Sequence, residues 1–449
     1  MVINYNKKIK ELLDADKKKE AIALVKEQIQ LEPLNIRNYL ILGQLFQNIY
    51  DYSGAEINYK KAYEIDSNNK DAFKYLTHFY SHFAANLKDK GEFLKAIKYH
   101  KKLVKIDKIN KAAHLSNIGA NYRFLKDFDK AIEFYNKALE IEKTFLTTYL
   151  NLSDIYRSKE DYQNFFETIN TMIKIYKESP KAFSTLMEKK VIKKGYTSYL
   201  EILYKLNKKS EYMGILKDVS DYNSSIITVA AIDTFASNQF GIKARYPFCN
   251  NPMSFLYFDN IYKESKLDKS LFTKLIQKDL LKHEFIYNKT GKATRGGEQT
   301  KSNLFKKADG NMLTLKNIII DKIRDYRKKI KKEDCHFSKK WPKKFTLEAW
   351  CVKYDGGKQI SHNHPDGWLS GVFYLNVPKN LKDNEGAIKF SIHGANYPII
   401  KEFSDEKIHY PSNGDIILFP SSLFHETFPY SSNDKREVIA FDLSPYEVW

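Results

Sequence analysis

The chain has 449 residues, of which 43% are hydrophobic and 29% charged, enough for two or three folded domains and unlike an intrinsically disordered protein. Lys and Arg outnumber Asp and Glu by 74 to 55, a formal net charge of +19, but only residues 328–332 and 339–344 form local basic clusters. Nucleic-acid binding is therefore a less favoured interpretation. The three cysteines are too few and too scattered for a disulfide framework or a cysteine-type zinc site, as is usual in a reducing compartment.

No stretch of the sequence has the features of a signal peptide or of a membrane-spanning helix. Residues 1–8 contain no apolar core. The most apolar segment, residues 226–236, is far shorter than the roughly 20 residues that a membrane span needs, and it contains Asp233. We therefore expect a cytoplasmic protein without a membrane partner.

Internal repeats occupy the first part of the chain at a spacing of about 34 residues, which is the period of tetratricopeptide helical hairpins. Small and aromatic residues recur at matching positions: Tyr39, Gly43, Phe46, Ala55, Tyr59 and Ala62 in one unit, and Gly119, Tyr122, Ala131, Tyr135 and Ala138 in another. The small residues let two helices approach closely, and the aromatic residues fill the space between neighbours. We predict an all-α solenoid of four to five hairpins over residues 1–180. Extra residues around 81–90 are expected to form a longer helix or a loop.

A stack of helical hairpins exposes a concave surface, which usually holds an extended peptide or a partner helix. We expect the same here, with the alternative that the repeats are only a scaffold or a dimerisation element. Residues 181–240 lose the repeat pattern but keep helical spacing, and they are predicted to be capping or linking helices. A change of pattern near residues 243–247 marks the start of the last domain, residues 241–449.

The last domain is predicted to combine β-strands with two bracing helices. Helical spacing covers residues 271–281 and 313–330. The polar, glycine-containing segment between them, residues 290–300, is either a substrate lid or an ordinary surface loop. Alternating apolar residues predict strands at 345–354, 368–377, 387–392, 415–419 and 436–443, with turns at places such as 355–357.

Histidines and an acidic residue lie close together beside these strands. In an extended chain, residues two apart share a face, so His362, His364 and Asp366 could point to one side. His425 is available as a more distant ligand. Two histidines and one carboxylate are the ligand set of non-haem Fe(II) oxygenases. Arg436 enters the next strand, where a buried guanidinium would be costly without an anion such as a carboxylate.

These residues occur in three blocks that resemble those of a known enzyme family. The blocks are His362-Asn-His-Pro followed closely by Leu-Ser-Gly-Val-Phe-Tyr-Leu, then Gly-Asp-Ile-Ile-Leu-Phe-Pro-Ser-Ser-Leu-Phe-His425, then Lys-Arg436-Glu-Val-Ile-Ala-Phe. Their order and content resemble the Fe(II)/2-oxoglutarate-dependent oxygenases, and more narrowly a bacterial and phage branch often found beside tetratricopeptide repeats. The resemblance covers about residues 241–445 and is strong from residue 350 on.

The resemblance implies an α+β multidomain protein whose last domain is a double-stranded β-helix, or jelly roll, with bracing helices. It implies a hydroxylase reaction that uses Fe(II), 2-oxoglutarate and O2. It assigns metal binding and catalysis to His364, Asp366 and His425, and 2-oxoglutarate binding to Arg436, Ser370 and Tyr374.

Two features depart from the pattern of the branch. The branch usually carries His-x-His without always keeping an acid two residues later, so His362, His364 and His425 are an alternative ligand set. We prefer the set with Asp366, because Fe(II) in such oxygenases normally takes one carboxylate. Many relatives have a serine at the position of Val438 that helps to hold 2-oxoglutarate, so the cosubstrate pocket is expected to differ in shape or strength.

The sequence thus predicts an Fe(II)/2-oxoglutarate-dependent dioxygenase, a hydroxylase acting on a protein or peptide substrate that the repeats recruit. Three alternatives stay open. The chain could be a non-catalytic interaction protein with a relic barrel, or a small-molecule oxygenase that uses the repeats as a scaffold. It could also be a metal-dependent cupin-like enzyme that needs no 2-oxoglutarate, in which case Arg436 would need another partner.

Overall fold

The computed structural model describes residues 5–263, 267–288, 292–432 and 434–446. By its internal contacts the chain divides into two compact units, Met1–Thr168 and Ile169–Trp449. The first unit is helical, and the second combines helices with two antiparallel sheets. None of the helices in the described ranges is both long and apolar enough to cross a membrane.

The helices of the first unit follow one another along the chain with short connections. They are α1 (Tyr5–Asp14), α2 (Lys18–Leu31), α3 (Ile36–Asn48), α4 (Tyr52–Ile65), α5 (Lys70–Asp89), α6 (Phe93–Ile106), α7 (Lys111–Phe124), α8 (Phe128–Ile141), α9 (Leu146–Ser158) and α10 (Tyr162–Glu178), which continues into the second unit. The predicted helical character of this region is confirmed. The extra residues around 81–90 lengthen a helix, because α5 has 20 residues where α6 has 14.

Close packing of aromatic rings on glycines explains the repeated small residues. Tyr59 and Tyr135 are buried, with exposed fractions of 1% and 0%. A Cβ atom added to Gly43 would lie 2.6 Å from the ring of Tyr59, and one added to Gly119 would lie 2.7 Å from the ring of Tyr135. Any larger residue at either glycine would therefore push the paired helices apart.

Three further helices open the second unit: α11 (Leu186–Lys205), α12 (Lys209–Tyr222) and α13 (Ile227–Gln239). The first and the third of these helices are tied to the loop that precedes β7 by hydrogen bonds. The hydroxyl of Tyr204 donates to the carbonyl oxygen of Pro398. The side-chain oxygen of Gln239 accepts from the amides of Ile400 and Lys401 at 2.7 and 2.8 Å. Helices between residues 181 and 240 were predicted, and the three-part division of the chain stays a prediction.

The remaining elements form two antiparallel sheets and their flanking helices. The strands are β1 (Tyr257–Asn260), β2 (Phe285–Tyr287), β3 (Thr294–Thr300), β4 (Phe345–Gln359), β5 (Leu369–Asn376), β6 (Ile388–Ser391), β7 (Glu406–His409), β8 (Asp415–Pro420), β9 (Phe424–Thr427) and β10 (Arg436–Pro445). The larger sheet has the order β1-β8-β5-β10-β4-β3-β2, and the smaller has β7-β6-β9. The flanking helices are α14 (Lys269–Leu280), α15 (Gly310–Ile330) and the short α16 (His336–Lys339). The two predicted helices and the five predicted strands are confirmed.

One apolar cluster combines side chains from both sheets. Val352, Tyr374 and Val438 contribute from the larger sheet, and Ile388 and Phe390 from the smaller. All five are less than 5% exposed. The core of this unit therefore includes the facing sides of the two sheets, and it supports the strands that carry the candidate site.

The predicted turn at 355–357 is wrong, because β4 continues through it. Gly356 has a φ of 69° and Gly296 on the paired strand one of 66°, and the register between β3 and β4 shifts here. A Cβ atom on Gly357 would lie only 2.1 Å from the carbonyl oxygen of Gly296. The glycines thus permit a local irregularity within two paired strands, and the chain does not reverse direction there. In the segment 290–300, Thr294–Thr300 is strand β3, and Thr290 and Gly291 lie outside the described residues.

Candidate metal centre

Backbone pairing brings two of the predicted histidines side by side. His425 lies in β9, and His362 follows the end of β4. The amide of His362 donates to the carbonyl oxygen of His425 at 3.1 Å, and the amide of His425 donates back at 3.0 Å. This reciprocal bridge places the two imidazole rings with their centroids 4.2 Å apart.

His364 completes a group of three. Its amide donates to the carbonyl oxygen of Ser421 at 3.0 Å. Its ring centroid lies 5.1 Å from that of His425 and 5.2 Å from that of His362. One potential ligand atom from each histidine lies within 4.8 Å of the others, a spacing that could hold a metal ion.

Each of the three rings is oriented through its Nδ1 atom. Nδ1 of His362 lies 2.8 Å, and Nδ1 of His425 3.4 Å, from the main-chain carbonyl two residues earlier. Nδ1 of His364 lies 2.8 Å from Oδ2 of Asp442. Oxygen acceptors favour the proton on Nδ1 and leave the Nε2 lone pair for a ligand. Nε2 of His364 is buried and has no hydrogen-bond partner in the described part of the chain, so a metal ion would satisfy it.

Burial also sets the charge of these imidazoles. Burial, followed by the neighbouring His364, lowers the pKa of His362 to about 4. Burial, followed by His362 and His364, lowers the pKa of His425 well below its usual value. The neutral imidazole is the form that binds metals, so near neutral pH these two rings are already in the binding form.

Asp366, a member of the preferred ligand set, is not part of this group. The amide of Gly367 donates to the carbonyl oxygen of His364 at 3.1 Å, so the chain turns between these residues. A turn does not keep the side-to-side alternation of a strand, and Asp366 is exposed at its tip. The histidines of the alternative set are the ones brought together, and which residues bind a metal stays a prediction.

Asp442, which holds one of the histidines, was not among the predicted site residues. Its Oδ1 accepts a hydrogen bond from the Ser370 hydroxyl at 2.6 Å, and Ser370 is in turn 2.8 Å from the hydroxyl of Ser421. Its Oδ2 is thereby kept for His364. The available signal was its even spacing from Arg436 in one strand, which puts both on the same face. Ser370 was predicted to bind the cosubstrate, and that role stays a prediction. In the structure its hydroxyl donates to Asp442.

Arg436 has a buried guanidinium with unused donors. Its side chain is 1% exposed, and its Nε and Nη1 have no hydrogen-bond partner among the residues that the structure describes. Nη2 lies 3.5 Å from the hydroxyl of Tyr374, and the guanidinium lies 5.7 and 5.3 Å from the ring centroids of Tyr354 and Tyr374. Burial raises the pKa of both tyrosines, so neither supplies a negative charge to the arginine. A buried cation without a partner is costly, so this place is suited to an anion.

A cleft of about 680 Å³ opens beside the histidines. The ring of Trp350 lines it and stacks on His364 with centroids 5.7 Å apart. Strand β3 forms part of the wall, so residues of the predicted lid or loop segment face the cleft. Polar and charged side chains also line it: Arg295, Lys301, Asn303, Glu348, Asp366 and Asp442. Its volume is within the range of ligand sites, about 300–1,000 Å³.

Two parts of the chain match known sequence families. Residues 348–442 match the model of a family described as "Putative 2OG-Fe(II) oxygenase". Residues 76–144 match a model described as "Tetratricopeptide repeat". The resemblance found in the sequence is thus confirmed for both parts, and the first match contains His362, His364, His425 and Arg436. No curated protein matches the chain.

Several solved structures are similar to parts of the chain at low identity. MamA from Desulfovibrio magneticus RS-1 is 17% identical, with coverage of 39% of this chain and 94% of that one and a TM-score of 0.26. Pseudomonas aeruginosa PilF is 12% identical, with coverage of 50% and 93% and a TM-score of 0.29. A prolyl-4-hydroxylase of Pseudomonas putida is 16% identical, with coverage of 43% and 93% and a TM-score of 0.29. At such TM-scores these likenesses assign no function to this chain.

Proposed function

We propose that the chain is an Fe(II)/2-oxoglutarate-dependent dioxygenase, a hydroxylase whose two sheets form a double-stranded β-helix. One observation carries the proposal: the segment that matches the oxygenase family contains both a cluster of three histidines and a buried arginine with no anionic partner among the described residues. When bound, iron with 2-oxoglutarate and O2 supplies the oxidising chemistry. The chain supplies the ligands, the charge that orients the 2-oxo acid, and a site shielded from water.

We assign the iron to His362, His364 and His425. The Nδ1 contact of each ring leaves its Nε2 available, and Nε2 of His364 has no other partner within the described ranges. An ion with three protein ligands keeps coordination positions for the 2-oxo acid and O2. In this assignment Asp366 acts at the wall of the cleft and not on the metal.

We assign the distal carboxylate of 2-oxoglutarate to Arg436 and Tyr374. A carboxylate accepts two parallel hydrogen bonds from a guanidinium, and Arg436 has unused donors on Nε and Nη1. Each such bond contributes about 1.5–3 kcal/mol, which offsets the cost of burying the cation. A cupin-like enzyme without 2-oxoglutarate would leave this charge unpaired, so the observation favours the 2-oxo acid.

Apolar rings shield the proposed metal centre from water. The ring centroid of His425 lies 4.8 Å from that of Phe419 and 6.2 Å from that of Phe390. Trp350 covers His364 on the cleft side. Such walls exclude solvent from the reacting atoms and strengthen the charge interactions within the site.

We further propose that the repeats recruit a protein or peptide substrate through an acidic segment. The first unit contains a cleft of about 500 Å³ lined by Lys74 and Lys88, and neither lysine forms an ion pair among the described residues. The acid that lines the cleft, Asp107, is already engaged by His114 at 3.1 Å and by Asn110 at 2.9 Å. The cleft therefore keeps a positive charge that suits a carboxylate-bearing peptide.

The test is to capture partners from a lysate with the full chain and to search them by mass spectrometry for one added oxygen atom. We expect the wild-type chain with Fe(II) and 2-oxoglutarate to add oxygen to a captured protein. His425→Ala should capture the same protein and leave it unmodified.

Charge reversal tests the recruiting surface separately. Lys74→Glu with Lys88→Glu should lower capture by at least about tenfold. The exposed lysines Lys108 and Lys143 lie outside the cleft, and reversing both should change capture little. Equal capture by both double variants would exclude this recruiting surface, and the absence of any oxygenated protein among partners of the active chain would argue against a protein substrate.

A further inference from the structure

Two cysteines lie apart from the proposed metal centre in the second unit. Cys249 precedes the short 3-10 helix Pro252–Phe255, and Cys335 precedes α16. Both are free thiols. Cys249 is 1% exposed, whereas Cys335 is partly exposed. One member of the pair can therefore be reached by a small solute, and the other is shielded.

Backbone hydrogen bonds join the segments that carry these cysteines. The amide of Phe337 donates to the carbonyl oxygen of Phe248 at 2.8 Å, and a second bond of 3.1 Å joins the residues that precede them. The rings of Phe337 and Phe248 also pack edge to face, with centroids 5.7 Å apart. Across this junction the side chains of Cys249 and Cys335 lie close enough to influence each other's charge.

The surroundings of the two sulfurs differ in a way that assigns their roles. The interaction with the Cys249 thiol and hydrogen bonds from Ser338 and Phe337 lower the pKa of Cys335, whereas burial raises it. The lowering effects are the larger, and the pKa falls to about 6. The Ser338 hydroxyl lies 3.9 Å from the Cys335 sulfur. Burial raises the pKa of Cys249 well above its usual value. At neutral pH the exposed member is the thiolate, which is the nucleophilic form, and the buried member keeps its proton.

We propose that Cys335 and Cys249 form an oxidative modification site that reacts with hydroperoxides and closes to an intrachain disulfide. The Cys335 sulfur attacks one peroxide oxygen, the O–O bond breaks, and the second oxygen leaves and takes a proton. The sulfenic acid on Cys335 is then attacked by the Cys249 sulfur. The S–O bond breaks, and the hydroxyl group leaves as water with the proton of the Cys249 thiol. Two thiols are oxidised to one disulfide, and one hydroperoxide is reduced.

The site is independent of the proposed oxygenase activity, but it touches the same sheet. The indole nitrogen of Trp368 donates to the carbonyl oxygen of Phe337 at 3.0 Å. Trp368 directly precedes β5 and follows the turn that begins at His364. A disulfide would thus fasten the segment on which this tryptophan rests, and it would restrict the unfolded chain between the two cysteines.

The chain contains its own control, because Cys351 is fully buried in β4 and burial raises its pKa. The reduced full-length protein is treated with a small excess of hydrogen peroxide in the presence of a chelator, and remaining thiols are then blocked with N-ethylmaleimide. We expect the intact mass to fall by two hydrogens and a peptide map to show Cys249 linked to Cys335. Cys351→Ser should behave like the wild type, and Cys335→Ser should form no disulfide.

Removal of the second thiol tests the order of the steps. In Cys249→Ala the exposed cysteine should gain oxygen atoms and form no intrachain bond. In the unaltered protein, iodoacetamide should modify Cys335 far faster than Cys351, with a midpoint near pH 6, and this readout does not depend on any variant folding. The proposal is overturned if peroxide produces no link in the wild type, if Cys335 and Cys351 react equally fast, or if the midpoint lies at the ordinary value of about 8.5.

Discussion

Oδ2 of Asp442 lies 2.8 Å from Nδ1 of His364, so one carboxylate of β10 orients a histidine of the proposed metal centre. The other oxygen of Asp442 is held by the hydroxyl of Ser370 on the neighbouring strand β5. A carboxylate in this position fixes the ring and makes Nε2 a better ligand. The pairing of two strands therefore determines the orientation of a ligand that lies outside both.

Asp442→Asn should weaken the binding of Fe(II) by about 10–100-fold, because the amide can replace the shape of the carboxylate but not its charge. Anaerobic titration of the metal-free protein with Fe(II) measures the change. Asp383 is exposed and forms no described contact with the histidines, so Asp383→Asn is the matched control and should bind as the wild type does. Equal Fe(II) affinities for the two variants would show that Asp442 does not support metal binding.

Two alanine variants decide between the ligand sets. His362→Ala should abolish stoichiometric metal binding, because its imidazole belongs to the group of three. Asp366→Ala should keep the affinity within a few-fold of the wild type, because its side chain is exposed on a turn. Equilibrium dialysis with Fe(II) gives both values. The opposite pattern would show that the turn opens and that the acid-containing set is the correct one.

Arg436→Lys should raise the apparent constant for 2-oxoglutarate by about tenfold or more, because lysine keeps the charge but cannot make two parallel hydrogen bonds. Arg295→Lys, which makes the same replacement in the wall of the cleft, is the matched control and should leave the constant little changed. Calorimetric titration of the metal-loaded proteins measures both. An unchanged constant for Arg436→Lys would mean that the buried guanidinium has another partner.

Asp233→Ala should lower the stability of the second unit by about 2–4 kcal/mol, because it leaves buried donors unpaired. Oδ2 of Asp233 accepts from the amides of Arg245 and Tyr246 at 2.9 and 2.8 Å, and its Oδ1 accepts from Ser237 at 3.0 Å. Denaturant unfolding followed by fluorescence measures the loss. Asp233→Asn keeps one acceptor and should lose less, and equal stability of the alanine variant and the wild type would contradict this role.

Much of the fold could be predicted because its determinants are local. The repeated pairing of a glycine with a tyrosine, as in Gly43 with Tyr59, is visible in the sequence as a fixed spacing. The alternation of apolar residues likewise locates the main strands. The irregularity at Gly356 was mistaken for a turn, because glycine permits a positive φ in both situations and only the partner strand distinguishes them.

The site was predicted less completely, because its geometry depends on contacts between distant segments. The face shared by His364 and Asp366 was inferred from an extended chain, and the turn closed by Gly367 removes that relationship. The only local signal for Asp442 is its even spacing from Arg436 within one strand, which does not reveal its histidine partner. Its role arises from the register that pairs β10 with β5 and from the position of the segment after β4, neither of which can be read from one sequence.

The most direct test of the central claim is the formation of succinate from 2-oxoglutarate by the full chain supplied with Fe(II) and O2. The account predicts succinate even without added substrate, dependent on iron, lost in His425→Ala and reduced in Arg436→Lys at a low concentration of 2-oxoglutarate. Circular dichroism of the variants shows whether they remain folded. No succinate from the folded, iron-loaded wild type, or equal amounts from the wild type and His425→Ala, would contradict the account.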